Sequence, residues 1–211
     1  MKNKGISHNS KGSSKTDVTS RVIRDSFFDI IRKSAEMTDI KMNEVNQYYD
    51  EKYQVKPGVE KENEATYKAV LYRELTESID YRMITMESSA FSKKEGVKRK
   101  KYDIWIAKDD IDYILEVKRF GIDLDNGDLL DVDNDKGIYG DLLKMDDLIN
   151  TLIKNNQHTY GIAIGFFEGN DSITLDHIES EMKNKIRKLL DEEPNLKLLI
   201  CANGKCKYVG E

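Results

Sequence analysis

Two hydrophobic periodicities alternate along this chain of 211 residues, one typical of strands and one typical of helices. Short runs rich in branched and aromatic residues predict strands at about 81–88, 103–107, 112–117, 158–168 and 196–202. Apolar positions at helical spacing predict helices at about 17–31, 40–53, 60–79, 139–155 and 174–192. Three successive strands followed by alternating helices and strands indicate an α/β fold with a central mixed β-sheet flanked by helices.

The pattern also predicts three segments along the chain. Residues 1–16 are polar and aperiodic, which is typical of a disordered tail. Residues 17–58 carry the first two predicted helices and form an N-terminal helical extension, and 59–211 form the main domain. The extension could serve as a partner surface, a dimer contact or a recognition module, but packing onto the main domain is the favoured interpretation.

The second and third strands are predicted to form a tight hairpin. Asp109 and Asp110 would be its two loop residues, because aspartates tolerate the positive φ of such turns. That register places Asp103 directly opposite Glu116 on one face, with Cβ atoms ~5 Å apart. Strand alternation puts Lys118 on the same face. A slip of one residue would separate these groups.

Two adjacent carboxylates and an amine suit metal-assisted hydrolysis of a phosphodiester. Carboxylates at this separation repel each other unless a cation lies between them. Oxygen ligands favour Mg²⁺ or Mn²⁺, which also binds water and substrate phosphate. The lysine could orient or deprotonate the attacking water, or neutralise charge developing at phosphorus. The alternative is an ordinary charged face of a sheet in contact with solvent.

Charge is distributed unevenly along the chain. The net charge is −5, yet residues 93–101 (KKEGVKRKK) concentrate basic side chains just before Asp103. Lys98, Arg99, Lys100 and Lys101 could bind nucleic-acid phosphates, the alternative being a solvated loop. The chain has neither an apolar stretch of 18 residues nor a hydrophobic signal-peptide core, so we expect a cytoplasmic protein with no membrane contact.

The two cysteines, Cys201 and Cys206, flank Asn203-Gly204, a strong signal for a two-residue hairpin turn. They are expected to face each other across a terminal hairpin. With no other cysteine and no nearby histidine a zinc site is disfavoured, and reduced thiols are the expected state.

Glu64 lies on the apolar stripe of the third predicted helix, seven residues before Leu71. Two interpretations stay open at this point. The glutamate is either a partner of the helix dipole at the N-terminal end or a side chain that points into a site. Glu74 also borders the stripe.

Asp103 followed after twelve residues by Glu116-Val117-Lys118 resembles the core of the restriction-endonuclease-like, PD-(D/E)xK, nuclease superfamily. The resemblance covers about residues 60–206, where the order of elements also fits. Tyr102 stands where the motif has its proline.

The resemblance implies specific roles. Asp103 and Glu116 would bind Mg²⁺ (or Mn²⁺), the Val117 carbonyl would be a further ligand, and Lys118 would assist the attacking water. A glutamate from the first core helix is implied as well, for which Glu64 is the best match and Glu74 the second. Lys144 is a weak match to a polar residue on the following helix.

These expectations describe a Mg²⁺-dependent nuclease, with DNA the favoured substrate and endonuclease action preferred. Restriction, phage defence and mobile-element biology all employ such domains. A homodimer or a partner recognition subunit is compatible with cutting both strands. The alternative is a non-catalytic nucleic-acid- or protein-binding module on a nuclease-like fold.

Overall fold

A computed structural model describes residues 15–53, 64–89, 101–121, 137–153, 158–168, 174–182 and 184–211. Within these ranges the chain forms five helices and six strands. The helices are α1 (Lys15–Tyr53), α2 (Glu64–Ser78), α3 (Ile138–Ile153), α4 (Leu175–Glu181) and α5 (Asn184–Glu192). The strands are β1 (Met83–Ser89), β2 (Lys101–Lys108), β3 (Ile111–Gly121), β4 (His158–Glu168), β5 (Leu196–Ala202) and β6 (Lys205–Tyr208).

All six strands form one mixed sheet in the order in which they occur along the chain. The first three pair antiparallel, β3, β4 and β5 pair parallel, and β6 returns antiparallel to β5. The predicted α/β architecture with a central mixed sheet is therefore confirmed.

Helices cover both faces of the sheet. The helices of the two parallel connections, α3 and then α4 and α5, pack on one face of the sheet, as expected for right-handed crossovers that advance in one direction. Their core includes Ile114, Ile138 and Leu142. The first two helices cover the opposite face, where Phe27 and Leu71 are buried. The sheet thus lies between two layers of helices.

The hairpin turns follow the sequence prediction. Asp109 and Asp110 have φ of 50° and 63°, and β2 pairs with β3 in the expected register from Lys108↔Ile111 to Ile104↔Leu115. At the other end of the sheet, Asn203 and Gly204 have φ of 53° and 72° and close the β5–β6 hairpin.

Cys201 and Cys206 are directly opposite each other in that terminal hairpin, as predicted. Their sulfur atoms form a disulfide, with the two Cα atoms 4.2 Å apart. The expectation of reduced thiols is therefore wrong in this structure, because the turn register brings the two side chains within bonding reach.

The first helix corrects the predicted extension, since α1 is one continuous element of 39 residues rather than two helices. It begins at Lys15, two residues before the predicted boundary at residue 17, and the tail as far as residue 14 lies outside the described residues. The polar Ser34, Thr38 and Asp39, which separate its two apolar stretches, are all buried. Despite its length, neither it nor any other described helix is apolar enough to cross a membrane.

Residues 174–192 were predicted as one helix but form two. Met182 leaves the helical region, with φ −65° and ψ 128°, and its N–H bonds back to the Glu179 carbonyl. The Met182 side chain is buried in the core beneath α4. This break therefore turns an apolar side chain inward and needs neither proline nor glycine.

Replacing Gly204 tests how closely the terminal hairpin packs on α1. A Cβ at Gly204 would lie 2.9 Å from Ile40 Cγ1, whereas one at Gly210 would have nothing within 4 Å. Both glycines have positive φ, so alanine strains the backbone at either position. We expect Gly204→Ala to cost about 1 kcal/mol more free energy of unfolding than Gly210→Ala in urea titrations. Equal losses would mean that α1 yields to the added methyl group.

Candidate active site

Asp103 bonds across the β2–β3 hairpin with its side chain. The β2–β3 pairing ends at Ile104↔Leu115, next to Asp103, and the Val117 N–H donates to Asp103 Oδ2 at 2.8 Å. Asp103 and Glu116 are 8% and 4% exposed, respectively. The sheet therefore holds two carboxylates next to each other with little contact to water, and they are not the solvated charged face of the alternative interpretation.

Lys68 on α2 connects Asp103 to Glu64. Its Nζ lies 2.7 Å from Asp103 Oδ1 and 2.8 Å from Glu64 Oε1. Because Glu64 and Lys68 are four residues apart on one helix, their side chains are neighbours on its surface. The first turns of α2 therefore contribute one carboxylate and one ammonium group to the hairpin site.

Lys118 lies between the two helical layers. Its Nζ is 3.4 Å from Glu64 Oε2 on α2 and 3.6 Å from Asp141 Oδ2 in the first turn of α3. Lys118 is thus positioned by two carboxylates from opposite sides of the sheet. Glu64, which also lies in the first turn of α2, contacts both Lys68 and Lys118 in this cluster.

Glu116 has its own ammonium partner, Lys144 of α3, whose Nζ hydrogen-bonds Glu116 Oε1. The same Nζ lies 4.6 Å from the centre of the Tyr102 ring. Tyr102, at the position of the missing motif proline, is therefore a buried aromatic surface beside a cation. Lys144, which is only a weak match in the sequence, therefore lies at the site.

Burial and repulsion among the carboxylates dominate the electrostatics. Burial, together with Asp103, raises the pKa of Glu116 to about 8, although Lys144 opposes the shift. Burial likewise raises the pKa of Asp141 against the effect of Lys118 and Lys144.

The lysines respond in the opposite sense. Burial lowers the pKa of Lys118, but Asp141 and Glu64 outweigh it, so that the pKa is raised. For Lys68 the hydrogen bonds to Asp103 and Glu64 outweigh burial and also raise the pKa. Both lysines therefore carry a proton at neutral pH.

The remaining predicted site residues are not part of the cluster as the structure describes it. Glu74 lies ten residues after Glu64 on α2 and pairs with Lys41 of α1 at 2.5 Å, away from the cluster. Lys98, Arg99 and Lys100 lie outside the described residues, whereas Lys101 is exposed at the start of β2. Ligation by the Val117 carbonyl stays a prediction.

The donor set suits a divalent cation in its chemistry. Asp103 and Glu116 supply carboxylate oxygens, which Mg²⁺ and Mn²⁺ prefer, and their burial together calls for positive charge. In the structure lysine ammonium groups meet that need, and among the described residues no group of three or more His, Cys, Asp or Glu side chains is arranged to hold a metal. A metal at the site would therefore be held by two carboxylates plus backbone oxygen and water, as Mg²⁺ sites commonly are.

A second polar cluster supports the site from behind. Glu168, at the end of β4, accepts hydrogen bonds from Tyr67 Oη, from Arg119 Nη2 and from Asn46 Nδ2, the last at 3.0 Å. Tyr67 precedes Lys68, and Arg119 follows Lys118. The cluster thus joins α1, α2, β3 and β4 directly beneath the candidate active site.

Sequence reasoning missed Lys68 and Asp141. The first had a signal, because it lies four residues after Glu64 on a predicted helix and must share its face. Asp141 had no comparable signal, since its place depends on how α3 crosses the sheet.

Comparisons with protein-family models, with curated proteins and with solved structures found no significant match to this chain. The geometry of the site is therefore what supports a functional assignment.

Proposed function

We propose that this protein is a Mg²⁺- or Mn²⁺-dependent nuclease with a restriction-endonuclease-like core, acting most readily on DNA as an endonuclease. The observation that carries the proposal is the convergence of Asp103, Glu116, Lys118 and Glu64, predicted from sequence, into one cluster. Four carboxylates and three ammonium groups meet there, counting Asp141, Lys68 and Lys144.

Each residue has a chemical role in this proposal. Asp103 and Glu116, with the Val117 carbonyl, would hold the metal, which supplies an activated water and neutralises charge on the phosphoryl group. Lys118 is protonated at neutral pH, so it acts as a hydrogen-bond donor to the water or to a phosphate oxygen rather than as a base. Glu64 keeps the Lys118 ammonium in position.

Substrate binding would use the basic segment 93–101, of which Lys101 is exposed beside the site. Phosphate neutralisation there would place the scissile bond near the start of β2. Cutting both strands of a duplex would require a second site from another copy or a partner subunit.

The decisive experiment is a cleavage panel on plasmid and single-stranded DNA and on RNA. We expect cleavage with Mg²⁺ or Mn²⁺, none in EDTA, and none with Asp103→Ala. Cleavage that persists in EDTA would contradict the proposal, as would an Asp103→Ala variant that cuts normally.

One observation favours a binding module instead: each of the four carboxylates already has a lysine partner, as in a purely structural charge network. Thermal shift separates the two functions. A nuclease should gain melting temperature on titration with Mg²⁺ or Mn²⁺, whereas a binding module should neither respond nor cleave.

The pKa of Glu116 gives a further prediction about metal binding. With a pKa of about 8 this carboxyl is mostly protonated at pH 6.5, and a metal ligand must be deprotonated. Binding should therefore release about one proton per ion at pH 6.5 and almost none at pH 9.5. Calorimetry in buffers of different ionisation enthalpy measures this number, and no difference between the two pH values would contradict ligation by Glu116.

A further inference from the structure

Lys68 is the shared counterion of two carboxylates that belong to different layers. Its Nζ bonds Asp103 Oδ1 on the sheet and Glu64 Oε1 on α2, and its side chain is only 15% exposed. An ammonium group held in this way is strongly committed to Asp103 in particular, because that side chain is only 11% exposed and has little water to replace the lysine.

A divalent cation on Asp103 would come close to that ammonium group. Oδ2 accepts from the Val117 N–H and Oδ1 contacts Lys68, so a metal bound to Oδ1 would share that oxygen with the ammonium group. With a metal–oxygen distance of ~2.1 Å and the 2.7 Å contact of Lys68, the two positive charges would be at most about 5 Å apart. Such like charges in a buried place repel strongly.

We infer that Lys68 is a built-in competitor of the metal and, once displaced, a phosphate ligand. In the metal-free protein its ammonium group neutralises Asp103 and Glu64. Metal binding at Asp103 releases it, and the flexible lysine stem lets it turn towards a phosphate oxygen of the substrate. This inference rests on the proposed nuclease function.

The exchange has a thermodynamic consequence. Metal binding without nucleic acid must break the Lys68 ion pairs, whereas with nucleic acid the released ammonium group gains a new anionic partner. Metal and nucleic acid therefore increase each other's affinity, and by linkage the two factors are equal.

The first measurement is Mn²⁺ affinity by calorimetry on the protein alone. Lys68→Met keeps the length of the side chain and removes its charge, so it should bind Mn²⁺ about tenfold more tightly than the wild type. Lys68→Arg keeps the charge and should bind Mn²⁺ like the wild type. Lys41→Met, which removes a lysine paired with Glu74 away from the site, is the matched control and should change nothing.

The second measurement is the affinity for a labelled DNA duplex in the presence of Mn²⁺, by fluorescence anisotropy in a Lys118→Ala background that slows cutting. Adding Lys68→Met should weaken DNA binding about tenfold and reduce the steepness of its salt dependence by roughly one ion. If Lys68 were merely structural, Lys68→Met would weaken the binding of both Mn²⁺ and DNA. Opposite changes in the two affinities are therefore the signature of exchange.

The outcomes separate the two proposals. Wild-type protein that binds Mn²⁺ while Lys68→Met binds it no more tightly overturns the competitor role and leaves the nuclease function standing. Should Lys68→Met fail to fold, Lys68→Gln provides the neutral side chain, with the same expected tightening. An absence of both Mn²⁺ binding and DNA cleavage in the wild type would instead defeat the nuclease function itself.

Discussion

Lys118→Ala should lower the rate of DNA cleavage by about 10²- to 10³-fold while leaving DNA binding nearly unchanged. The ammonium group lies between Glu64 and Asp141, one from each helical layer, and is fixed before substrate arrives. A donor positioned in this way acts on charge that develops in the transition state. Single-turnover cleavage with saturating protein measures the chemical step apart from binding.

Lys41→Ala is the control for this loss, since it also removes a lysine from an ion pair with a helix carboxylate but lies away from the site. It should cleave at the wild-type rate. If Lys118→Ala retains robust metal-dependent cleavage, Lys118 has no role in the chemistry and the assignment of that residue is wrong.

Glu168→Ala should be the most destabilising substitution in the cluster beneath the site, costing about 3–5 kcal/mol. It removes one carboxylate that the Arg119 guanidinium contacts, in a place where the Arg119 side chain is only 12% exposed, and with it the acceptor of Tyr67 and Asn46. Urea denaturation monitored by circular dichroism measures this loss of unfolding free energy. It would be a large part of the stability of a domain of this size.

Glu77→Ala is the matched control, because Glu77 pairs with Arg73 on the exposed side of α2 at 2.9 Å. Exposed helix pairs of this kind contribute little to the free energy of unfolding. A Glu168→Ala loss no larger than that of Glu77→Ala would show that the buried network contributes nothing net.

The same network predicts a dependence on acid. Burial raises the pKa of Glu168, but the hydrogen bonds from Arg119 and Tyr67 outweigh it, and the pKa is lowered. A carboxyl group whose pKa is lowered by folding stabilises the fold at pH values above its pKa in the unfolded chain. That stabilisation is lost as the pH falls through its pKa in the folded protein. The stability difference between the wild type and Glu168→Gln should therefore shrink on acidification below about pH 4.5.

The β2–β3 hairpin was predictable because its information is local. Two aspartates able to adopt positive φ fixed the turn, and the turn fixed which residues face each other across the strands. Asp103 and Glu116 followed from that register alone. Period-two alternation then added Lys118 without any knowledge of the rest of the fold.

The continuity of α1 was not predictable, because what stabilises its middle comes from elsewhere in the chain. Thr38 Oγ1 bonds the Ser34 carbonyl within the helix, and Asp39 Oδ2 accepts from the Gly204 N–H. A buried polar stretch that is anchored by a tertiary partner, as at Asp39, looks in sequence like a gap between two helices. The disulfide in the terminal hairpin was mispredicted for a different reason. The composition suggested a reducing compartment, whereas the bond follows from the strand register, which puts the two cysteines opposite each other.

The site was predictable only in part for the same physical reason. Residues of the hairpin could be placed from register, whereas the helical stripe left two interpretations open for Glu64. The approach of α3, which brings Asp141 and Lys144 to the cluster, depends on packing of Leu142, Met145 and Ile149 against the sheet. No local pattern states where along a sheet a helix will lie.

The contact between Asp39 and the Gly204 backbone joins residues 165 positions apart, and it has a consequence for synthesis of the chain. The first helix emerges from the ribosome long before the last hairpin that it packs against. At elongation rates of about 5–20 residues per second, the buried face of that helix waits roughly 10 to 30 seconds for its partner. During this interval Phe27, Ile31 and Met42 have no sheet face to cover, so the nascent chain should depend on chaperones more than the finished protein does.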